Sequence, residues 1–290
     1  MKQIVTNKSG ELKVLEVPAP GISPGQVLVR THFSLISAGT EGAQIREGKA
    51  GLLTKVKDHP EQVQMVLGKL KKEGIKSVAS QVREKLKEWK TLGYSLSGVV
   101  IGVGEGVTDL KVGDHVGCGG AGYAVHAEIV SVPKNLVVKI PEGVSMRDAS
   151  FVTLGTIALH GVREAQPTLG EFALVQGLGL VGQLAVQFLK ASGARVAATD
   201  LSEERMALAK KLGADLVLPA NEDAQASIAA WTGGAGVDMV LVCAATQSSG
   251  PLETASKLAR DKGRIVVVGD VGMELSRGPF FRKELGFSLS

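Results

Sequence analysis

The chain has 290 residues, 44% of them apolar and only 4% aromatic, and a net charge of +4. That length suits two domains, and the composition calls for cores of Val, Leu, Ile and Ala while excluding a disordered chain. Only two cysteines occur, Cys118 and Cys243, which excludes a disulfide framework and points to a reducing, cytoplasmic compartment. No apolar run reaches membrane-spanning length, and Met1-Lys-Gln-Ile-Val-Thr6 lacks the apolar core of a signal peptide. No membrane partner is therefore expected.

Short alternating strands are expected first. Glu11 to Val17 alternates polar and apolar residues before Pro18-Ala-Pro20-Gly21, and Gln26 to Phe33 alternates again. Residues 42 to 92 form an insert with twelve basic residues against six acidic ones. Within it, 61–73 and 77–90 read as two helices joined near Gly74, with apolar positions such as Val63, Val66, Leu70, Val78, Val82 and Trp89. A basic surface can attract nucleic acid, but a solvated helical face is the preferred reading, because only Trp89 interleaves the charges. No nucleic-acid partner is expected. Strands resume at Leu96 to Val103, and Lys111-Val-Gly-Asp-His115 is a turn before Val116. Ala127 to Val132 is a further strand, and Pro141-Glu-Gly-Val-Ser145 a linker before a helix from Met146. The first domain is thus 1–145 and the second 146–290.

From Gly170 the pattern alternates β and α. Strands are expected at 172–176, 195–199, 214–218, 237–243 and 264–269, with helices between them, as in a parallel sheet covered on both faces. A sixth strand would be incomplete, with Gly286-Phe-Ser-Leu-Ser290 its beginning, so the chain reads as C-terminally truncated. Between the first two strands lies the sharpest motif, Gly177-Leu-Gly179-Leu180-Val181-Gly182, at G-x-G-x-x-G spacing and opening a helix from Val181 to Ser192. Gly177 permits the tight turn, Gly179 lets backbone approach a pyrophosphate, and Gly182 lets helix and strand pack closely. The helix N-terminus offers N–H groups to phosphate. Asp200, ending the next strand, accepts from ribose hydroxyls and repels a 2′-phosphate, which favours NAD over NADP. Two roles are open to Arg205, a contact to ribose or phosphate and a plain surface position. Asp270, after the fifth strand, reads as a turn cap or a neighbour of the nicotinamide.

An irregular β domain, a Pro-Glu-Gly linker and this second domain resemble the medium-chain dehydrogenase/reductase superfamily, of the zinc alcohol dehydrogenase type. Val112-Gly-Asp-His-Val116 resembles the V-G-D-x-V turn of that family, and Ala127-Glu-Ile-Val-Ser-Val-Pro133 its A-E-Y-x-x-V-P strand. Thr156 to His160, Ser202 to Ala214 and Phe281 to Leu285 resemble further family segments. The resemblance implies a GroES-like substrate domain, a Rossmann doubly wound parallel sheet, a nicotinamide cofactor and an active site between the lobes. It also implies that Ala244 and Gly269, at the ends of the fourth and fifth strands, line the cofactor.

The departures are as informative. Where zinc members carry C-G-[ST]-D and G-H-E, this chain has Ala38-Gly39-Thr40-Glu41 and Gly93-Tyr94-Ser95, and the third ligand falls near Thr153. These are not the three strong donors that catalytic zinc needs, so no zinc is expected. Cys118 with His126 is a poor replacement, since neither a carboxylate nor a second His accompanies them in the sequence. Thr40 or Tyr94 is then the expected donor to a substrate carbonyl, with Glu41 orienting that donor or relaying the proton. The segments resemble a zinc-free branch, the bi-domain oxidoreductases of bacterial polysaccharide gene sets. That implies an alcohol/carbonyl oxidoreductase on a sugar- or polyol-like small molecule, a second oxidoreductase domain downstream and a homodimer. The insert is expected to serve as a helical lid. A quinone or enoyl reductase, and a non-catalytic dinucleotide-binding module, remain as alternatives.

Overall fold

The computed structural model describes residues 1–49, 88–221 and 223–290. The two helices expected within 61–90, and the lid they would form, lie outside the described residues apart from their last three positions. The chain divides into two units, Met1–Thr153 and Leu154–Ser290. The division falls beyond residue 145 because hydroxyls of the first unit hold the next segment. Ser95 Oγ donates to Ser150 O at 2.6 Å, and Ser97 Oγ donates to Met146 O.

The first unit is all-antiparallel. Strand β1 (Lys2–Asn7) lies between β2 (Leu12–Glu16) and β4 (Trp89–Thr91). A second sheet has the order β7-β3-β5-β6-β8, built from β3 (Gln26–Ser34), β5 (Ser95–Val103), β6 (His115–Gly119), β7 (Ile129–Pro133) and β8 (Val137–Lys139). Its aliphatic core includes Val27, Val29, Leu96, Val100, Val116 and Val130. Helix α1 (Thr40–Lys49) follows β3, and a single turn, α2 (Met146–Ala149), closes the unit, its first turn capped by Ser145 Oγ accepting from Asp148 N–H.

Trp89–Thr91 departs from the expected helix. The edge of β1 recruits it as a strand, pairing Val5 with Thr91 and Asn7 with Trp89, and the Lys13 ammonium sits 4.8 Å from the Trp89 ring centroid. Sheet pairing and this cation–π contact override a helical pattern that had no tertiary partner in view.

The second unit opens with α3 (Val152–Ala165), whose first two residues belong to the preceding unit. It then alternates β9 (Phe172–Gln176), α4 (Leu180–Ala191), β10 (Arg195–Asp200), α5 (Glu203–Lys211), β11 (Leu216–Pro219), α6 (Asp223–Trp231), β12 (Val237–Val242), α7 (Gly250–Leu258), β13 (Ala259–Val267), α8 (Arg277–Lys283) and β14 (Gly286–Leu289). The sheet order is β11-β10-β9-β12-β13-β14, with all pairs parallel. The strands are near-continuous apolar runs, as burial on two faces demands, and successive side chains face opposite helical layers. Ala173, Val175, Val196, Ala198, Met239 and Leu241 pack with α3, α4 and α5, while Leu174, Ala197, Val240 and Val242 pack with α6 and α7. Gly286–Leu289 supplies the sixth strand, in register from Arg264↔Gly286 to Val267↔Leu289. The strand order reverses between β9 and β12, the place where doubly wound sheets take their ligands.

Candidate dinucleotide and active sites

In the second unit the expected glycines divide their work by geometry. Gly177 has φ +89°, the left-handed region, and a Cβ on it would stand 2.6 Å from Ala244 N. A Cβ on Gly182 would lie 1.9 Å from the Gly177 carbonyl oxygen, so helix and turn touch backbone to backbone. One on Gly179 would meet nothing within 4 Å, which leaves open space in front of the helix. Gly179 caps α4 without a side-chain hydrogen bond. The N–H groups of Leu180, Val181 and Gly182 therefore have no intrahelical acceptor, and the ladder starts with Gln183 N–H to Gly179 O at 2.9 Å. Gly269 meets the same corner, where a Cβ would be 2.0 Å from Ala244 O. Ala244 and Gly269 thus form one wall with Gly177.

Asp200 is 8% exposed at the end of β10. Its Oδ2 accepts from Leu178 N–H at 2.6 Å and its Oδ1 from Ser202 N–H at 2.9 Å. A carboxylate has about four acceptor sites, so lone pairs remain for ribose hydroxyls. Arg205 Nη1 is 3.9 Å from Asp200 Oδ2, and the Arg205 side chain is 58% exposed. Leu201 is 87% exposed beside the acid and offers no cation. Asp270 is exposed, and its carbonyl accepts from Thr246 N–H at 2.8 Å.

Sequence reasoning missed Gln183. Its Nε2 ties Leu178 O (3.2 Å) to Arg205 O (2.8 Å), joining the glycine loop to α5. An amide on the otherwise apolar buried face of α4 was the signal. The oxygens Gln176 Oε1 and Gln183 Oε1 are buried beside the loop without a hydrogen-bond partner. An open glycine cradle, unsatisfied N–H groups and an acid at the next strand end fit the pyrophosphate and ribose of a nicotinamide dinucleotide.

In the first unit Thr40 opens α1 and is exposed, while Glu41 is buried. Glu41 Oε1 accepts from Ser37 N–H at 2.8 Å, and its Oε2 stands 2.8 Å from His126 Nε2, both side chains being 6% exposed. The other imidazole nitrogen, Nδ1, is hydrogen-bonded to Ser34 Oγ. A carboxylate thus does accompany His126, from 85 positions upstream. Gly93 makes room for the ring: its φ is +95°, and a Cβ on it would lie 2.8 Å from both Nδ1 and the backbone nitrogen of His126. Tyr94 follows, half-buried. Its carbonyl accepts from Gly120 N–H at 3.0 Å and from Thr153 Oγ1 at 3.0 Å.

Two family models match the chain. One, described as alcohol dehydrogenase GroES-like domain, matches residues 23–142, and the other, zinc-binding dehydrogenase, matches residues 181–288. Each unit thus matches a domain model of the alcohol dehydrogenase type. The chain's similarity to an alcohol dehydrogenase of Geobacillus stearothermophilus is 36% identity over 208 residues, 61% of this chain and 60% of that protein. The D-guloside 3-dehydrogenase of Escherichia coli K12 is 36% identical over 152 residues, 52% of this chain and 43% of that one. An alcohol dehydrogenase of Escherichia coli CFT073, solved with NADH, superposes with a TM-score of 0.77 at 25% identity, covering all of this chain and 83% of that one. The chain thus spans three fifths or less of these two curated relatives.

Among the described residues, the positions where zinc ligands were expected do not carry three strong donors. Ala38 has no donor atom, and the Thr153 hydroxyl is committed to the Tyr94 carbonyl. Among the described residues no three His, Cys, Asp or Glu side chains gather where they could hold one metal ion. Cys118 is fully buried, and burial pushes its thiol up to about 12. Among the described residues no helix is long and apolar enough to cross a membrane.

Proposed function

We propose that the chain is a zinc-independent, NAD-preferring oxidoreductase that interconverts an alcohol and a carbonyl on a sugar- or polyol-like substrate. The observation that carries this reading is the glycine cradle braced by Asp200, in a chain similar to dehydrogenases of alcohols and of a sugar glycoside. A bound nicotinamide supplies the hydride acceptor or donor. Leu180, Val181 and Gly182 offer their N–H groups to its phosphates, Asp200 holds a ribose, and Ala244 and Gly269 wall the site. Thr40 or Tyr94 donates a hydrogen bond to the substrate oxygen, and Glu41 orients the proton-transferring groups or relays the proton. A reduced, cytoplasmic setting suits two free thiols. A homodimer, and a second oxidoreductase domain downstream in a longer protein of a polysaccharide gene set, complete the reading.

The test is a titration of nicotinamide fluorescence with NADH and with NADPH, followed by assay of NAD⁺ reduction with sorbitol, xylitol and butanediol. Tight NADH binding, weaker NADPH binding and turnover of a polyol are expected. Replacing Tyr94 by Phe together with Thr40 by Ala should then cut kcat by roughly 10²-fold or more. A double variant with the wild-type rate removes those two residues from the mechanism. NADPH binding tighter than NADH, with reduction of a quinone or enone, would replace the reading with a reductase.

A further inference from the structure

Three side chains far apart in sequence meet beside Gly93 in a continuous hydrogen-bonded line: Ser34 Oγ, the imidazole of His126, and Glu41. An ionised carboxylate only accepts, so Nε2 carries the proton shared with Glu41 Oε2. In the neutral ring Nδ1 is then the acceptor, and Ser34 is its donor. The arrangement is that of a hydroxyl, a base and a carboxylate that fixes the tautomer and stabilises the imidazolium. Every part is held. Ser37 N–H anchors the far carboxylate oxygen at 2.8 Å. Leu92 O accepts from His126 N–H at 2.7 Å, and His126 O accepts from Ile4 N–H at 2.9 Å. The missing side chain of Gly93 leaves the ring its space, since a Cβ there would lie 2.8 Å from Nδ1.

The open end is Ser34. It is half-buried at the last position of β3, while His126 and Glu41 are shielded. Leu35 N–H donates to Ser95 O at 3.0 Å, which sets the Ser34 end of β3 beside the Tyr94–Ser95 start of β5. The charged neighbours are accounted for. His32 on β3 is exposed, and Glu128, past Ala127, is exposed and accepts Lys2 N–H at 2.8 Å. Lys2 on β1 is exposed too. Among the described residues Glu41 is the charged group in hydrogen-bond contact with the imidazole.

We propose that Ser34, His126 and Glu41 form the proton relay of this enzyme, with Ser34 the hydroxyl that exchanges a proton with the substrate oxygen. The proposal rests on the oxidoreductase reading above. When an alcohol is oxidised, a bound nicotinamide would take the carbon-bound hydrogen with its electron pair as the C–O bond becomes C=O. The hydroxyl proton passes to Ser34 Oγ while Ser34 gives its own proton to His126 Nδ1. The resulting imidazolium is paired with the Glu41 carboxylate, which keeps its charge. Reduction runs the same transfers backwards. Ser34 is the catalytic residue of this set, and His126 and Glu41 act through it.

The experiment compares wild type with Ser34→Ala, Ser34→Thr and His126→Asn, measuring kcat and KM against pH for NAD⁺ reduction by the polyol panel, and NADH binding in parallel. Wild-type kcat should climb about tenfold per pH unit on its acid side and level off. Ser34→Ala and His126→Asn should lose roughly 10²- to 10⁴-fold in kcat and lose that climb, with KM and NADH binding nearly unchanged. Ser34→Thr should recover most of the rate, which a purely structural role would not predict. An unchanged kcat in Ser34→Ala, or the climb surviving in His126→Asn, overturns the relay. If wild type oxidises no polyol, the substrate reading falls, and nitrogen NMR of labelled histidine decides the relay alone. Reversible protonation of Nδ1 of His126 that shifts in Ser34→Ala supports it, and a single protonation state between about pH 5 and 10 overturns it.

Discussion

Asp200 Oδ2 accepts the Leu178 N–H at 2.6 Å, so the acid expected to hold the ribose also braces the loop expected to hold the phosphates. Removing its charge while keeping its shape separates the two jobs. Asp200→Asn can still accept the Leu178 N–H but turns its amide nitrogen to the Ser202 N–H, and should also lose a charge-assisted bond to the ribose worth about 1.5–3 kcal/mol, a loss of roughly 10- to 100-fold in NADH affinity. NADPH affinity should fall less or rise, because the 2′-phosphate no longer meets an anion. Adding Leu201→Arg beside it should favour NADPH further. Fluorescence titration reads the ratio, and an unchanged NADPH-to-NADH ratio would count against Asp200 as the selector.

The glycines make a sharper contrast. A methyl on Gly179 meets open space, whereas one on Gly182 lies 1.9 Å from Gly177 O. Gly179→Ala should therefore keep its melting temperature and lose dinucleotide affinity, because the methyl fills space reserved for pyrophosphate. Gly182→Ala should lose stability first, by about 1–3 kcal/mol, as overpacked cores do. Thermal melts with and without NADH distinguish them, and equal melting losses in both variants would show that the open space is not a ligand cradle.

Acid sensitivity has a definite source in the second unit. Partial burial alone would raise the Asp215 carboxyl. The Lys190 ammonium at 2.8 Å, the Val196 N–H at 2.6 Å and the Lys210 charge outweigh burial and hold it below its ordinary value. A folded-state value below the unfolded one gives stability that is present above the unfolded pKa, about 3.9, and is lost as pH falls through the folded one. Wild type should thus melt higher than Asp215→Asn at neutral pH, with the gap closing in acid. A gap as wide at pH 3 as at pH 7 would rule out this carboxylate as the cause.

The thiols should be inert in the native protein. Burial pushes both Cys118 and Cys243 up to about 12, so the reactive thiolate is scarce at neutral pH. Iodoacetamide at mildly basic pH should label neither in the fold and both in denaturant. Cys243, which keeps some exposed surface, should react first as structure is lost. Rapid native labelling of Cys118 would contradict its burial.

Much of the second unit was legible because its signals are local. Glycine spacing, a short apolar run before it and an acid at the next strand end all lie within 172–200, and the strand at Phe172–Gln176 has the expected bounds. The first unit hid more. His126 stands 85 positions from Glu41 and 92 from Ser34, separations that no periodicity crosses. His126 looked solitary in the sequence for that reason alone. Trp89 was misread for a related one: its strand exists only because β1 offers an unpaired edge. Gln183 was overlooked because a single amide on an apolar helix face looks like a breach of pattern, when it is the tie between loop and neighbouring helix.

Gly93 and His126 are bound together in a one-way inheritance. Any side chain at 93 would strike the imidazole and the backbone nitrogen behind it, so a lineage that abandons this glycine must already have given up its histidine. The reverse order is free, since the +95° turn keeps glycine favoured whether or not the ring is there. Among homologous chains, histidine without this glycine should be the combination that natural variation does not reach.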